Sequence, residues 1–216
     1  MKEFAEKHIA VNTQSSVRIA GEGGAVVYVD PLEIAGEPHD ADLVLVTHRH
    51  GDHFSPADIA KLTKPTTVIA APEGMAKDAE KSLGKPVLSV RPGERYEAGG
   101  VRFETVAAYN KLKPFHPKSA GWVGYVVVMD GRRIYVAGDT DATKEAEETV
   151  CDVALLPVGG KYTMTAKEAA GLGNRMKKKP AVAIPTHYGT IVGKSTDGAD
   201  FASGVEDGVA VVLKLG

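Results

Sequence analysis

The stretch from Leu43 to Ser55, LVLVTHRHGDHFS, places three histidines and an aspartate within six positions directly after an aliphatic run. The whole chain of 216 residues has only seven histidines, so they are strongly concentrated here. The run 42–47 is almost continuously aliphatic, which predicts a strand that is buried on both faces. The polar residues that follow it form either a histidine-rich surface loop or one half of a metal site.

The spacing of these side chains favours a metal site. His48 and His50 are two residues apart, and in extended backbone that spacing points both side chains to the same side. Gly51 allows a sharp turn, after which Asp52 and His53 can face a second ion beside the first. Four candidate ligands in six positions, at the end of a strand, indicate metal binding rather than an ordinary loop.

Composition narrows the class of protein. A hydrophobic content of 43% and a charged content of 25% are ordinary for a globular chain. The net charge of -2 argues against nucleic acid or an acidic membrane as a partner. Cys151 is the only cysteine, which excludes a disulfide framework and a cysteine zinc cluster. Without a signal-peptide pattern or a long apolar segment, we expect a soluble cytoplasmic protein.

The order of predicted elements gives the fold class. Valine-rich and isoleucine-rich runs bounded by Gly, Pro or Asp predict strands, and capped amphipathic stretches predict helices. This order predicts an α/β (α+β) chain in one domain, residues 1–216, built as a four-layer αβ/βα sandwich of two mixed sheets with helices outside. The predicted strands are 16–21, 25–30, 42–48, 66–71, 86–90, 101–109, 122–130, 132–139, 152–158, 181–187 and 208–215, and the predicted helices are 55–62, 72–84, 165–179 and 198–205.

Local signals fix some of these boundaries. Ser55 is a candidate N-cap with Pro56 at the first helical position, and Gly84 is a candidate residue to end the second helix. The glycine-rich segment 20–25 is interpreted as a hairpin turn, since no helix follows it as a phosphate loop requires. Three lysines at 177–179 are interpreted as the solvated end of a helix.

The segment THRHGDH matches the pattern T-H-x-H-x-D-H, so the chain resembles the metallo-β-lactamase-fold metallohydrolases. Three further motifs of that family occur in the same order: His116 in FHPKSAGW, Asp139 in VAGDTD and His187 in IPTHYG. The context of His116 is similar to that in a small single-domain branch that includes ascorbate-6-phosphate lactonase-like enzymes. The resemblance extends over about residues 17–213.

This resemblance implies two divalent metal ions. Because the ligands are imidazoles and carboxylates without thiolate, Zn²⁺ suits them best, and Mn²⁺ or Fe²⁺ also fit. The implied ligands of the first ion are His48, His50 and His116, those of the second are Asp52, His53 and His187, and Asp139 bridges the two.

The same resemblance implies a hydrolytic mechanism. Two divalent ions and two aspartates leave a site of about +2, which favours ionisation of a bound water. A hydroxide that bridges the ions is the expected nucleophile, and the positive charge favours an anionic small-molecule substrate. Asp52 and Asp139 are the expected catalytic carboxylates, with Asp52 also able to carry a proton.

Residues near the ligands in sequence are candidates for supporting roles. Thr47 and Thr140 flank ligands and are expected to orient them by hydrogen bonds. Candidate substrate contacts lie in segments predicted to loop over the same strand ends: Tyr109, Asn110, Lys161, Tyr162 and Tyr188.

Cleavage of an ester bond, either phosphodiester-type or in a lactone, is the leading functional hypothesis. One alternative is a catalytically silent metal-binding protein of the same fold. Another is a redox protein with a diiron site, although relatives of that kind resemble H-x-E-x-D-H, with glutamate where this chain has His50. The sequence is compatible with a homo-oligomer and does not name the substrate.

Overall fold

Two β-sheets pack face to face in the structure, a computed structural model that describes residues 1–212 and 214. The first sheet has its strands in chain order: β1 (Ile9–Val11), β2 (Val17–Ala20), β3 (Val26–Val29), β4 (Ala41–Leu45), β5 (Thr63–Pro72) and β6 (Leu88–Val90). The second sheet also follows chain order: β7 (Arg95–Ala98), β8 (Val101–Ala107), β9 (Val123–Met129), β10 (Arg132–Val136), β11 (Val153–Pro157), β12 (Val182–Thr186) and β13 (Ala210–Val211).

Each sheet has an antiparallel half and a parallel half. Strands β1 to β3 pair antiparallel, whereas β3 to β6 are parallel. In the second sheet, β7 to β10 are antiparallel and β10 to β13 are parallel. The carboxyl ends of parallel strands meet at one edge of a sheet, which is where α/β folds place their ligands.

Helices cover the outer faces of both sheets. Strand β4 shows the layering, because Leu43 and Leu45 belong to the apolar core between the sheets while Val44 and Val46 pack with side chains of the helices outside. On that side lie α2 (Pro56–Leu62) and α3 (Glu73–Leu83), and over the second sheet lie α4 (Lys144–Glu148), α5 (Ala166–Arg175) and α6 (Asp197–Gly204). The predicted four-layer sandwich is confirmed. None of the described helices has the length and apolar character that a membrane crossing requires.

Three local predictions are confirmed. The Ser55 side chain accepts a hydrogen bond from the backbone N–H of Asp58, with Pro56 in the first turn of α2. Gly84 ends α3 with a φ of 62°, in the left-handed region that glycine tolerates. The segment 20–25 connects antiparallel strands β2 and β3, as the hairpin interpretation requires.

Other boundaries differ from the predictions. Strand β4 ends at Leu45, so His48 and His50 lie in the loop after it rather than on the strand itself. Helix α5 ends at Arg175 because Met176 has extended backbone (ψ 139°) and a buried side chain, and the lysines at 177–179 therefore follow the helix. Strands β1 and β7, a first helix, α1 (Lys2–His8), and the short helix α4 were not predicted. Of the predicted strand 208–215, the structure shows β13, and positions 213 and 215 lie outside the described residues.

The capping box of α5 gives a test of these local assignments. The Thr165 side chain accepts the backbone N–H of Glu168, and the Glu168 side chain accepts the backbone N–H of Thr165. Thr165→Ala should therefore lower the free energy of unfolding by about 1 kcal/mol, measured by urea denaturation. Thr196 begins α6 without a side-chain capping bond. Thr196→Ala is the matched control and should change stability much less, and equal losses would contradict the assignment.

Candidate metal centre

The predicted metal ligands come together at the edge where the parallel strands of both sheets end. They reach it from four separate segments of the chain. His48, His50, Asp52 and His53 follow β4, His116 lies in the connection from β8 to β9, Asp139 follows β10, and His187 follows β12.

Asp139 lies between two groups of histidines. Its Oδ2 is 3.2 Å from Nε2 of His116 and 3.9 Å from Nε2 of His48. Its Oδ1 is 3.3 Å from Nε2 of His53 and 3.3 Å from Nε2 of His187. Each oxygen of one carboxylate thus faces a different pair of imidazole nitrogens, the arrangement needed for a carboxylate that bridges two cations.

Each histidine group is completed by one further ligand atom. On the first side, Nδ1 of His50 is 3.0 Å from Nε2 of His48. On the second side, Oδ2 of Asp52 is 3.5 Å from Nε2 of His53 and 3.4 Å from Nε2 of His187. His48, His50 and His116 therefore form one group that could hold an ion, and Asp52, His53 and His187 form another.

The distances between ligand atoms fit a tetrahedral ion. Four donors bound about 2.0–2.1 Å from a zinc ion lie about 3.3–3.4 Å from one another. On the second side, the four distances that join Asp52 and Asp139 to His53 and His187 are between 3.3 and 3.5 Å. These atoms are too far apart for good hydrogen bonds with one another and close enough to share a cation.

Buried atoms without partners support the same assignment. Nε2 of His53, of His116 and of His187, together with Oδ1 of Asp139, are buried and make no hydrogen bond. An unsatisfied buried polar atom costs about 1–3 kcal/mol, so four of them in one cluster need an explanation. A bound cation would supply it, because imidazole nitrogens and carboxylate oxygens can offer lone pairs to a cation and these four atoms face the same cluster. The donor set fits two divalent ions.

A buried aspartate that the sequence analysis missed orients the histidines. Oδ2 of Asp30 accepts a hydrogen bond from Nδ1 of His53 at 2.7 Å and one from the Thr47 hydroxyl at 2.6 Å. The same hydroxyl lies 3.0 Å from Nδ1 of His48, and because its own hydrogen is donated to Asp30 it can only accept a hydrogen bond from that nitrogen. With Nδ1 protonated in both rings, Nε2 of His48 and of His53 keeps a free lone pair for a metal ion. The expected orienting role of Thr47 is thus supported by its contacts.

Two of the histidines occupy strained backbone. His116 has a φ of 56° and His187 a φ of 59°, in the left-handed region that non-glycine residues seldom adopt. Each is held by a backbone hydrogen bond: the His116 carbonyl accepts the N–H of Asn110 from the same loop, and the His187 N–H donates to the carbonyl of the distant Gln14 at 2.8 Å. Gly138 also has positive φ, and a Cβ there would lie 3.1 Å from the Thr47 side chain. The backbone is therefore shaped to bring His116, Asp139 and His187 inward.

Charges within the cluster reinforce one another. Burial lowers the pKa of His48 well below its ordinary value, so its ring is neutral and able to ligate. Burial alone would raise the pKa of Asp139, but the adjacent His187 and His53 hold it well below its usual range. Burial alone would lower the pKa of His53, but the carboxylates of Asp139 and Asp30 raise it well above its ordinary value. The centre of the cluster thus favours positive charge.

Other predicted residues have different surroundings. Asn110 is buried, and its amide nitrogen lies 3.2 Å from Nδ1 of His116 and donates to the carbonyl of Tyr162 at 2.7 Å. It therefore contacts a ligand rather than the cavity. Thr140 bonds to the backbone of Tyr109 and Asp141 and makes no hydrogen bond with a ligand side chain in the described structure. Its expected role in orienting a ligand is not supported by its contacts.

Among the predicted substrate contacts, Tyr162 alone lines the cavity beside the ligands. The Tyr109 hydroxyl instead donates to Glu145 at 2.8 Å. Tyr188 is buried, with its hydroxyl end against Gly198 of α6. Lys161 is exposed, and its Nζ lies 5.0 Å from the centre of the Tyr162 ring. Sequence proximity to a ligand did not establish which way these side chains point.

The cavity over the ligands has a volume of about 470 Å³, within the range of small-molecule sites. Its floor is formed by the candidate ligands His50, Asp52, His116, Asp139 and His187. Its remaining described lining is Phe115, Tyr162, Ile191 and Val192, which we call the apolar rim. Apart from Tyr162, the sequence analysis missed these residues.

Trp122 was also missed. Its ring centroid lies 4.8 Å from that of His48, 5.0 Å from that of His50 and 5.4 Å from that of His116. It therefore packs against all three histidines of the first group. Nothing in the sequence around Trp122, directly before β9, marks it as part of the site. Asp30 could have been found, because it is an acid at the end of the strand-like run 25–30, just as histidines follow β4.

Comparison with known proteins gives a consistent result. The profile of the beta-lactamase superfamily domain matches residues 8–187. A UPF0173 metal-dependent hydrolase of Pyrococcus abyssi is 34% identical over 207 residues, covering 89% of this chain and 90% of the relative. Another from Thermoplasma acidophilum is 37% identical over 178 residues, 76% of each chain. The crystal structure of a candidate metal-dependent hydrolase from Parabacteroides distasonis is 29% identical with a TM-score of 0.80, covering 96% of this chain and 93% of the other.

The role of Asp30 can be tested without metal. Asp30→Asn leaves one acceptor oxygen for three donors, which are Thr47 N–H, the Thr47 hydroxyl and His53 Nδ1. The free energy of unfolding in the presence of a chelator should fall by about 3 kcal/mol, measured by urea denaturation. Asp42 accepts Val26 N–H and pairs with Lys64 at a more exposed position. Asp42→Asn should cost about 1 kcal/mol or less, and a similar loss in both variants would refute the role of Asp30.

Proposed function

Because the chain belongs to the beta-lactamase superfamily, which confirms the resemblance found in its motifs, we propose that it is a binuclear metal-dependent hydrolase that cleaves an ester bond. The proposal is supported above all by the position of Asp139, because its two carboxylate oxygens face two separate groups of candidate ligand atoms. The curated relatives are metal-dependent hydrolases, and this chain covers most of their length.

We propose that one ion is held by His48, His50 and His116 and the other by Asp52, His53 and His187. Asp139 lies between the two groups and is the proposed shared ligand. Zn²⁺ is the proposed metal, because all seven of these residues offer imidazole nitrogens or carboxylate oxygens, and the four ligand atoms of the second side lie at tetrahedral spacing. When bound, two such ions supply Lewis acidity that ionises water and polarises the ester oxygen. His50 in place of a glutamate makes the first group neutral, which supports hydrolysis over diiron redox chemistry.

The side chains of the chain divide the remaining tasks. Asp139 is almost fully buried and holds the two ligand groups at a fixed separation, whereas the Asp52 side chain is 23% exposed and faces the cavity. Burial alone would raise the pKa of Asp52, but the adjacent His187 and His53 rings lower it, which keeps the carboxylate ionised and able to ligate. Asp52 is the more exposed of the two carboxylates that line the cavity, so it is the one that we propose to carry a proton.

The substrate proposed is a small ester, either a phosphodiester-type compound or a lactone. The bond to be cleaved has to lie at the floor of the cavity, where the ligand groups are. The positive charge of bound ions favours the negative charge that develops on the ester oxygen during attack. A substrate whose reacting group is anionic is favoured for the same reason.

Metal content and hydrolysis together test this function. Purified protein should carry two zinc ions per chain by elemental analysis, and it should hydrolyse at least one compound in a panel of phosphodiesters and lactones. Removal of metal with a chelator should abolish turnover, and zinc should restore it. Asp139→Asn should lose metal and lower kcat/KM by about two to three orders of magnitude.

Asp152→Asn is the matched control. Asp152 is likewise an aspartate next to a strand of the second sheet, but it precedes β11, accepts a backbone N–H, pairs with a lysine and lies outside the ligand groups. This variant should keep its metal and its activity. Full metal loading without turnover on any ester would support the silent metal-binding alternative, and an iron-loaded preparation that consumes oxygen would support the redox one.

A further inference from the structure

The walls of the cavity differ in chemistry from its floor. Phe115 and Ile191 are 42% and 59% exposed, and they are two of the four large hydrophobic side chains that are exposed among the described residues. Exposed apolar side chains grouped around a cleft mark binding surfaces more often than they occur by chance. Both lie directly beside metal-ligand candidates, Phe115 before His116 and Ile191 in the loop after His187.

The apolar rim is a packed structure rather than a set of loose side chains. The rings of Phe115 and Tyr162 meet edge to face with centroids 4.9 Å apart, a favourable aromatic geometry. Val192 packs tightly over the backbone of Gly159, where an added Cβ would lie 2.9 Å from a Val192 methyl. The rim is thus anchored to the same loops that carry His116 and His187.

Positive side chains are missing from the described lining of the cavity. The charged residues there are Asp52 and Asp139, both of which belong to the ligand groups. Lys113 lies in the same loop as Phe115, but its amine is bound to Asp141 and to the Thr163 carbonyl. Lys161 lies beside Tyr162 but outside this lining. A second anionic group held against the apolar rim, distant from the ions, would therefore gain no counter-charge from the residues that line the cavity.

On the basis of the function proposed above, we propose that the substrate is an ester or lactone whose non-reacting part is an uncharged alkyl or aryl group. That group binds against Phe115, Tyr162, Ile191 and Val192 while the ester lies over the ligand groups. The rim would then set specificity by apolar area and exclude substrates with a distant phosphate or carboxylate. A buried methylene contributes about 0.8 kcal/mol, so each one that reaches the rim should improve binding about fourfold.

Linear carboxylates test the inference without requiring turnover. Acetate, butyrate, hexanoate and octanoate resemble the acids released by ester cleavage, and their binding to the full-length zinc-loaded protein can be measured by calorimetry. Kd should fall about two- to fourfold per methylene. Hexanoate should bind at least about tenfold more tightly than adipate, which has the same length and a second carboxylate at its far end.

Variants then assign the effect to the rim. Phe115→Ala and Ile191→Ala should each reduce the dependence of Kd on chain length. Leu112→Ala is the matched control, because Leu112 is 97% exposed in the same loop as Phe115 but does not line this cavity. It should retain the dependence of the wild-type protein. The same series as p-nitrophenyl esters should show the trend in kcat/KM.

The outcomes separate this inference from the function on which it rests. The inference is overturned if no carboxylate binds, or if Kd does not change with chain length. It is also overturned if adipate binds as tightly as hexanoate, or if Leu112→Ala reduces the dependence on chain length as much as Phe115→Ala does. If esters are cleaved without dependence on chain length, the inference alone fails. If carboxylates show the expected trend but no ester is cleaved, the proposed function alone fails.

Discussion

The structure is organised around one buried carboxylate that faces positive or metal-binding groups on both sides. Asp139 is 4% exposed, and its two oxygens lie 3.2–3.3 Å from nitrogens of His116, His53 and His187. An isolated carboxylate at such a position would be strongly destabilising, because charge removed from water must be compensated nearby. The surrounding ligand groups, and the cations that they fit, provide that compensation.

Two half-parallel sheets are well suited to build such a centre. The parallel strands β4, β10, β11 and β12 deliver their carboxyl ends to one edge, and the loops after β4, β10 and β12 carry six of the seven ligand candidates. A hydrogen bond also joins the two sheets near this edge: the hydroxyl of Tyr125 in β9 donates to the carbonyl of Val46, directly after β4, at 2.7 Å. Asp30 adds a further constraint by holding Thr47 and His53 from a neighbouring strand end. The rigid part of each sheet therefore positions side chains that lie on loops.

The cavity combines two environments that have different roles. Its floor contains the polar atoms that fit metal ions, whereas Phe115, Tyr162, Ile191 and Val192 form its apolar rim. In the function we propose, ions bound at the floor would attract the reacting group, and the rim would offer apolar area to the rest of the substrate. The ligand charge alone led us to expect an anionic substrate, whereas our proposal from the described lining restricts that preference to the group that reacts.

The sequence by itself determined the layers of the fold and predicted the candidate ligands that the structure brings together. The motif around His48, the order of Asp139 and His187 after apolar runs, and the alternation of strands and capped helices are all local patterns, and local patterns follow from backbone periodicity and turn chemistry. Those patterns also placed the ends of α2 and α3, because Ser55 and Gly84 act through bonds and backbone angles within a few residues. The same patterns predicted a strand that extends too far, to His48, and a helix that extends too far, into the lysines after Arg175. The helix ends earlier where the side chain of Met176 is buried.

Tertiary structure alone decided which neighbours of the ligands contribute to the site. Asp30 reaches His53 across 23 residues of sequence, and the His187 N–H reaches the Gln14 carbonyl from the other end of the chain. The direction of a loop side chain depends on such distant contacts, which explains why Tyr188 is buried beneath α6 while Ile191 lines the cavity. Metal-ligand chemistry is encoded in residue type and spacing, but the shape and polarity of the surrounding walls arise only when separate loops pack against one another.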